Sequence, residues 1–396
     1  MAGTDPDGVV TIGLMSGTSL DGLDGVLVRW KAAVPSSPAA PSAQAPFEIL
    51  ARAHCPFPEA FRSTLLDLNR SGTDELHRAA LAANRHSMIA ADVVRNLLER
   101  SGMGARHVRA IGLHGQTVRH RPGEFDGMGY TLQLHNAALL AEWTRIDVVC
   151  DFRSRDVAAG GQGAPLVPAF HADIWSQPGQ DVAVLNLGGI ANLTLIDAAG
   201  RVLGFDCGPA NVLMDLWTAR HHGHAYDAGG AWAAQGHVLP ELLASMQAEP
   251  FFRRPIPKST GRDLFHEEWL ERHAVQAAAP QDVQATLCEL TAWAVDDHLA
   301  REMPTASAIR VCGGGALNVE LMRRLAQRLQ ARVGEAARVE PTSAHGLDVM
   351  DVEAAAFAWL AWRFIEGRPG NLPRVTGARG PRILGALYPG GGSDRE

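Results

Sequence analysis

Two segments of this chain alternate between apolar runs and a short polar turn, and each predicts a β-hairpin. The first is Val10–Val28, in which apolar runs flank the turn Ser16-Gly-Thr-Ser-Leu-Asp-Gly22. The second is Val182–Ile196, which turns at Gly188-Gly189. Turns rich in Gly, Ser and Thr leave backbone N–H groups uncovered, so a phosphate can lie against them. Because each hairpin opens about half of the chain, the pattern indicates a duplicated fold that holds polyphosphate between its halves.

The remaining periodicity predicts further helices and strands. A long helix is predicted over about Asp74–Glu99, with Gly102 just beyond its end and a buried face formed by Leu76, Ala80, Ile89, Val93 and Leu97. Other helices are predicted at about Asp282–Arg301, Asn318–Leu329 and Val352–Ile365. Strand-like runs occur at Val108–Gly112, Ile146–Cys150 and Val202–Phe205, and residues Ala32–Pro46 predict a surface loop.

Composition restricts the class of protein. A chain of 396 residues exceeds what one hydrophobic core normally supports, so we expect two domains. The net charge of −7 and the lack of a basic run argue against nucleic acid or an anionic membrane as the main partner. Five cysteines without Cys-x-x-Cys spacing suggest reduced thiols. With no signal peptide and no apolar stretch of membrane-spanning length, we expect a cytoplasmic protein.

The first polar turn has the groups that a magnesium polyphosphate requires. Gly17–Gly22 combines backbone donors, the hydroxyls of Thr18 and Ser19, and the carboxylate of Asp21. It is not a Walker loop, because no Gly-Lys-Ser/Thr follows. Taken alone, the turn is equally compatible with a glycine-rich hairpin that binds nothing.

A second glycine-rich segment follows the strand-like run that ends at Cys312. Gly313, Gly314 and Gly315 leave room for a flat adenosine, and Asn318 can cap the helix that follows. The alternative is a tight strand–helix connection, which would need only one glycine. We favour the nucleotide.

Asp206 stands where a predicted strand ends, just before Gly208-Pro209 and a helix that begins near Asn211. A carboxylate held there on rigid backbone can act as a general base. The commoner role for such a residue is to cap its own helix, and the motif alone does not decide between the two.

Two arginines and three histidines also have alternatives. Arg153 and Arg155 could clamp an anionic substrate group, or they could be solvated surface charges. The spacing of His114, His120 and His135 fits no metal motif, which favours core or hydrogen-bonding roles.

Six strings in this chain closely resemble those of the anhydro-N-acetylmuramic acid kinase family: Met15–Gly22, His114–Thr117, Asp151–His171, Leu185–Asn192, Lys258–Arg262 and Pro369–Ala378. The resemblance runs from Ile12 to about Pro389. It implies an α/β, two-lobed actin/hexokinase/Hsp70-like ATPase fold, a ribonuclease H-like duplication around a nucleotide cleft. The first lobe would contain residues 1–155 and about 366–396, and the second residues 156–365.

The resemblance also implies a reaction that uses ATP and Mg²⁺ in peptidoglycan recycling. Water would open the 1,6-anhydro bond of the sugar while O6 takes the γ-phosphoryl group, giving N-acetylmuramic acid 6-phosphate. The partner would be this small sugar, with no nucleic acid and no membrane involved. The oligomeric state stays open, with a homodimer as one candidate.

Individual residues take roles from the family position by position. The family's phosphate-binding stretch falls on Gly17, Thr18, Ser19, Leu20, Asp21, Gly22, Leu23 and Asp24. The expected ATP-binding residues also include the glycines singled out above from their turns, Gly188, Gly189, Gly313, Gly314 and Gly315. The implied catalytic base is Asp206, and the implied sugar contacts are Gln116, Arg155 and Glu353. Mg²⁺ would lie near Asp21 and Asp206, bound through water, and the residues that hold the adenine stay open.

Three positions depart from the family pattern. Ala210 replaces the second glycine of Gly-Pro-Gly-Asn, Leu134-His135-Asn136 replaces Ile-Gly-Asn, and Cys150 replaces a small residue. None removes a reacting group, but Ala210 restricts the backbone after the implied base.

The implied chemistry explains why a base is needed. A 1,6-anhydro sugar has no free 6-hydroxyl, so the base must deprotonate water at C1, and the lactyl carboxylate of the sugar would suit Arg155. The closest rival is a kinase of the same superfamily that acts on an ordinary hexose. An Hsp70-like binding protein would need a substrate-binding domain, and too little chain follows Pro389 to form one. A sugar-responsive regulator would need a helix-turn-helix and a basic face, and neither is visible in the sequence.

Overall fold

The computed structural model describes residues 8–17, 19–31, 46–261 and 264–391, so the predicted loop at Ala32–Pro46 lies almost wholly outside the described residues. The described residues form two compact units. The first contains residues up to Phe170 and from Asp351 onward, and the second contains His171–Met350. Within these ranges, no helix combines the length and the apolar character that crossing a membrane requires.

The strands, in chain order, are β1 (Val9–Met15), β2 (Gly22–Trp30), β3 (Phe47–Pro56), β4 (Ala110–Leu113), β5 (Gln116–Pro122), β6 (Gly129–Leu134), β7 (Val148–Cys150), β8 (Val182–Leu187), β9 (Ile190–Ile196), β10 (Val202–Pro209), β11 (Ala308–Cys312), β12 (Arg338–Pro341) and β13 (Ala386–Tyr388).

The α-helices are α1 (Glu59–Asp67), α2 (Glu75–Ser101), α3 (Ala137–Thr144), α4 (Ser154–Ala158), α5 (Val167–Trp175), α6 (Asn211–His222), α7 (Pro240–Gln247), α8 (Glu267–Glu271), α9 (Pro280–Glu302), α10 (Val319–Val333), α11 (Val352–Ile365) and α12 (Pro373–Thr376). The four predicted helices form as α2, α9, α10 and α11, with ends within a few residues of the predicted ones, and both predicted hairpins form.

The two units repeat one sheet topology. In the first, the order β3-β2-β1-β4-β7 has antiparallel pairs among β1, β2 and β3 and parallel pairs from β1 to β4 to β7, with β13 added at the edge. In the second, β10-β9-β8-β11-β12 has the same order and the same directions. This ribonuclease H-like arrangement, present twice, confirms the predicted duplicated α/β fold.

Helix α11 packs directly on the sheet of the first unit. A Cβ atom at Gly13 on β1 would lie 1.8 Å from the backbone oxygen of Ala354, and one at Gly112 on β4 would lie 2.0 Å from that of Phe357. Thr11 adds a hydrogen bond of 3.0 Å from its hydroxyl to the Ala358 oxygen. Only glycine admits this close approach of helix and sheet.

The boundaries of the units therefore differ from the predicted ones. Residues 351–365 belong to the first unit rather than the second, because α11 covers its sheet. Residues 156–170 also belong to the first unit. Asp156 there is fully buried and accepts hydrogen bonds from Asn371 (2.6 Å) and Thr376 (2.8 Å), which lie later in the same unit.

The predicted buried face of α2 is correct only in part. Ile89, Val93 and Leu97 are buried, but Leu76 is 88% exposed and Ala80 is also exposed. A helix of 27 residues is about 40 Å long, whereas the ten residues of β3 span only about 33 Å. The first turns of α2 therefore extend beyond the sheet that buries the rest.

Candidate active site

The β1–β2 turn of the first unit is held in a defined shape. Leu20 has φ = 58°, its N–H donates to the Gly17 oxygen (3.3 Å), and the Ser19 hydroxyl donates to Asp21 Oδ1 (2.7 Å). The side chain of Leu20, like that of Leu23, lies in the core, so only its backbone is left for a ligand. Thr18, the remaining predicted member of the turn, lies outside the described residues.

Residues after β4 donate hydrogen bonds to the backbone oxygens of this turn. His114 donates from Nδ1 to the Ser16 oxygen (3.2 Å), and Gln116 donates from Nε2 to the Gly17 oxygen (3.1 Å). Gln116 is 1% exposed, and its Oε1 has no hydrogen-bond partner among the described residues. The predicted sugar contact Gln116 therefore holds the turn through its Nε2 and keeps a buried, unused acceptor at its Oε1.

The two arginines after β7 have different surroundings. Arg153 donates from Nη2 to His114 Nε2 (3.0 Å) and from Nη1 to the Gly163 oxygen (2.8 Å). Burial lowers the pKa of Arg153 to about 10, and that of His114 falls well below its usual value, so His114 is neutral and can accept. Arg155 is exposed and has no hydrogen bond or ion pair within the described part of the chain. Its guanidinium is available to an anion.

Three carboxylates of the first unit influence one another. Burial raises the pKa of Glu353, in the first turn of α11; the charges of Asp24 and Asp21 raise it further, and that of Arg153 lowers it. Burial also raises the pKa of Asp24, whose Oδ1 lies 2.7 Å from His54 Nδ1. Asp21 and Asp24 therefore lie near enough to Glu353 to raise its pKa, and the guanidinium of Arg153 opposes them.

Gly22 is required for a reason that the sequence did not indicate. A Cβ atom there would lie 2.5 Å from Cε1 of His54 and 2.6 Å from the Cys55 oxygen. Because Gly22 has no side chain, the imidazole of His54 can lie against its Cα and reach Asp24 on the same strand. Gly22 therefore has a packing role in β2, whether or not its backbone also contacts a nucleotide.

In the second unit, the carboxylate of Asp206 is held at both oxygens. Asn192 donates from Nδ2 to Oδ1 (2.5 Å), and the backbone N–H of Thr260 donates to Oδ2 (2.8 Å). Burial raises the pKa of Asp206 to about 6, while these hydrogen bonds and the charge of Lys258 act in the opposite direction. Asp206 lies at a β-bulge between β10 and β9 and makes no side-chain cap on α6. The geometry thus favours the general base over the helix cap.

The turn between β8 and β9 packs against the start of α6. The oxygens of Gly188 and Gly189 accept from the backbone N–H groups of Asn211 (3.1 Å) and Ala210 (3.0 Å). Ala210 is buried and has φ = −110°, so this position does not take the left-handed backbone that would favour glycine. Gly188 and Gly189 themselves have no close neighbour where a Cβ would point, which leaves their outer surface open.

The three glycines after β11 differ from one another. A Cβ at Gly313 (φ = 78°) would lie 2.4 Å from Asn186 Oδ1, and one at Gly315 would lie 2.5 Å from Leu187 Cβ. Both are therefore needed for packing against β8. Gly314 has nothing within 4 Å of its Cβ direction. Asn318 caps α10 as predicted, accepting from the Leu321 N–H at 3.0 Å.

Sequence reasoning gave no role to the residues that support Asp206. Asn192 lies within the second predicted hairpin, but no role was predicted for its side chain. Lys258 and Thr260 belong to a string that was recognised only by its resemblance to the family. Lys258 donates from Nζ to the oxygens of Phe251 (2.9 Å) and Phe252 (3.2 Å), and burial lowers its pKa to about 8. No local pattern of charge or hydrophobicity indicates that this loop lies beside the end of β10.

Among the described residues, no group of three His, Cys, Asp or Glu side chains is arranged to hold a metal ion directly. Asp21, with one oxygen bound to Ser19 and its side chain exposed, fits an ion bound through water. That donor set, oxygen ligands with hydration retained, suits Mg²⁺.

Duplicated ribonuclease H-like sheets, each opening with a glycine-turn hairpin, define the class of actin/hexokinase/Hsp70-like proteins. The family described as anhydro-N-acetylmuramic acid kinase matches residues 9–390. Proteins of that name from Variovorax paradoxus and Bordetella petrii are 54% and 55% identical to this chain, over 96% of it and 99% and 97% of their own lengths. The Pseudomonas putida protein of that name is 52% identical, over 96% of this chain and 99% of its own. The chain belongs to the anhydro-N-acetylmuramic acid kinase family.

Proposed function

We propose that this protein uses ATP to convert 1,6-anhydro-N-acetylmuramic acid and water into N-acetylmuramic acid 6-phosphate. Water forms a bond to C1, the C1–O6 bond breaks, and O6 takes the γ-phosphoryl group, so that ADP and a proton are released. The reaction would recover a cell-wall sugar in the cytoplasm, where ATP is supplied.

The raised pKa and the fixed orientation of the Asp206 carboxylate are the observations that carry this proposal. A substrate without a free 6-hydroxyl needs a base that acts on water, and a carboxylate whose pKa is about 6 is ionised near neutral pH yet basic enough to take a proton. Its two hydrogen bonds, from Asn192 and from the Thr260 N–H, fix its orientation. Asp206 is therefore proposed to accept the proton of the water that attacks C1.

Phosphate binding is assigned to backbone in both units. The β1–β2 turn, with Ser19 and Asp21, is proposed to bind the polyphosphate, and His114 and Gln116 keep that turn in shape. In the second unit, Gly314 has open space where a side chain would stand, and Gly188 and Gly189 have no neighbour closer than 3.8 Å there, which supports contact with the nucleotide. A bound Mg²⁺ would neutralise charge on the phosphates during transfer.

Sugar binding is assigned to Gln116, Arg155 and Glu353. The unused Oε1 of Gln116 can accept from a hydroxyl or amide of the sugar. Arg155 is the better partner for the lactyl carboxylate, because the donors of Arg153 are engaged by His114 and Gly163. Burial raises the pKa of Glu353, and the nearby charge of Arg153 opposes that rise, so Glu353 offers oxygen atoms to the sugar beside the guanidinium.

An ATP-consumption assay with matched sugars tests this proposal. We expect ADP release with 1,6-anhydro-N-acetylmuramic acid and none above background with glucose, N-acetylglucosamine or N-acetylmuramic acid, since these sugars have a free 6-hydroxyl and no C1–O6 bond for water to open. Phosphorylation of glucose or N-acetylglucosamine at a comparable rate would instead favour the ordinary hexose kinase. Detection of the 6-phosphate by mass spectrometry separates sugar phosphorylation from plain ATP hydrolysis.

A further inference from the structure

Thr260 has an unused hydroxyl beside the proposed base. Its backbone N–H donates to Asp206 Oδ2 at 2.8 Å, so the residue is tied directly to the carboxylate. Its Oγ1 is shielded from solvent and has no hydrogen-bond partner in the described part of the chain. A shielded hydroxyl without a partner is unfavourable, and it is retained where a ligand or a water supplies the missing bond.

Two polar side chains near Asp206 are already engaged within the described part of the chain. Asn192 uses its Nδ2 on Asp206 Oδ1, and Lys258 uses its Nζ on two backbone oxygens. Ser259, the residue before Thr260, is exposed. Turning the hydroxyl of Thr260 about χ1 to a neighbouring staggered position would break no hydrogen bond, because it makes none among the described residues.

We infer that Thr260 is a further catalytic residue, whose hydroxyl holds the attacking water together with Asp206. The inference rests on the proposed function. The Thr260 O–H donates to the water oxygen, and one water O–H points to the Asp206 carboxylate. The remaining lone pair of the water is then directed at C1, so the two residues fix both the position and the orientation of the nucleophile.

The step balances without any further reactant. As the water oxygen bonds to C1, its proton passes to Asp206 and the C1–O6 electron pair moves onto O6, which bonds to the γ-phosphorus as the bond to ADP breaks. Thr260 keeps its proton throughout. Asp206 then releases the proton to solvent.

Thr260→Val is the direct test, because valine has nearly the same shape and keeps the backbone N–H that Asp206 needs. We expect kcat to fall about 10-fold with little change in KM for ATP or sugar, since only the placement of the water is lost. Thr260→Ser, which retains the hydroxyl, should recover most of the rate. The acid side of the pH profile should stay where it is in the unchanged protein.

Thr218→Val is the matched control. Thr218 is buried in α6 of the same unit, and its hydroxyl is already used: it donates to the Met214 oxygen (2.8 Å) and accepts from Gln284 Nε2 (3.1 Å). Its loss should leave kcat unchanged. If Thr260→Val folds and keeps the full rate, or if Thr260→Ser is as slow as Thr260→Val, the hydroxyl does not hold the water. If the unchanged protein fails to use the anhydro sugar at all, the proposed function itself is wrong.

Discussion

Asp206→Asn is expected to reduce sugar-dependent turnover by about 10²–10⁴-fold while the protein still folds and binds ATP. The amide has the shape of the carboxylate but cannot take a proton from water. Its oxygen can accept the Thr260 N–H, and the amide of Asn192 can turn end for end to accept from the new N–H group. The loss should therefore appear in kcat, measured by ADP release in the presence of the anhydro sugar.

Stability supplies a check on this variant. Burial raises the pKa of Asp206 from 3.8 to about 6, so the folded protein binds this proton more tightly than the unfolded chain does. The protonated carboxyl group of Asp206 therefore stabilises the folded protein at low pH, and this contribution is lost as the pH rises through about 6. At pH 7 the amide should leave the melting temperature unchanged or raise it.

Asp296→Asn is the matched control for removing a carboxylate. Asp296 pairs with Arg332 at 3.0 Å in the same unit, away from the proposed site. Its loss should cost a little stability and leave turnover intact. A folded Asp206→Asn protein with turnover near that of the unchanged enzyme would remove Asp206 from the mechanism.

The pH dependence of kcat/KM should follow the ionisation of Asp206. With a pKa of about 6, the working carboxylate form dominates above pH 7 and falls about 10-fold for each pH unit below 6. An aspartate at its ordinary value would keep nearly full activity at pH 5. Burial holds the pKa of His86 and His171 at about 3, and that of His120 and His298 at about 4, so these four histidines do not account for a change near pH 6.

Asn192→Leu identifies the titrating group. Removing the Nδ2 donor deprives the ionised carboxylate of a hydrogen bond, so the pKa of Asp206 should rise and the acid limb should move to higher pH. Titration of the nucleotide is common to both proteins, so the shift between them reports on Asp206 alone. Superimposable profiles would assign the acid limb to some other group.

Local patterning predicted most of the regular structure. The helix at Val352–Ile365 and the hairpin at Val182–Ile196 begin and end at the predicted residues, because strong apolar periodicity and glycine turns are local signals. The unit that α11 belongs to was predicted incorrectly. That assignment depends on Gly13 and Gly112, which let the helix approach a sheet built from the other end of the chain.

The residues of the candidate site also fall into two groups: those that local sequence could indicate, and those that depend on contacts between distant segments. Asp206 could be chosen because it follows a predicted strand, although β10 continues past it to Pro209, and the two glycine hairpins could be chosen from their turns. The roles of Asn192, Thr260 and His54 depend on contacts between distant segments, such as the cross-strand pair of His54 with Asp24. Gly22, Gly313 and Gly315 were assigned to the nucleotide, whereas their packing against His54, Asn186 and Leu187 is itself sufficient to require glycine.

The most direct test of the coupled reaction is a turnover in ¹⁸O-water with the product sampled early, before the reducing sugar exchanges its anomeric oxygen with solvent. If Asp206 directs water at C1 while O6 departs onto phosphorus, the 6-phosphate should carry one heavy oxygen at C1 and none in its phosphate group. Mass spectrometry of the intact sugar and of its fragments locates the label. A 6-phosphate without label at C1 would mean that an existing hydroxyl was phosphorylated, and the coupled mechanism would be wrong. Label in free phosphate released from ATP would show that water attacked phosphorus instead.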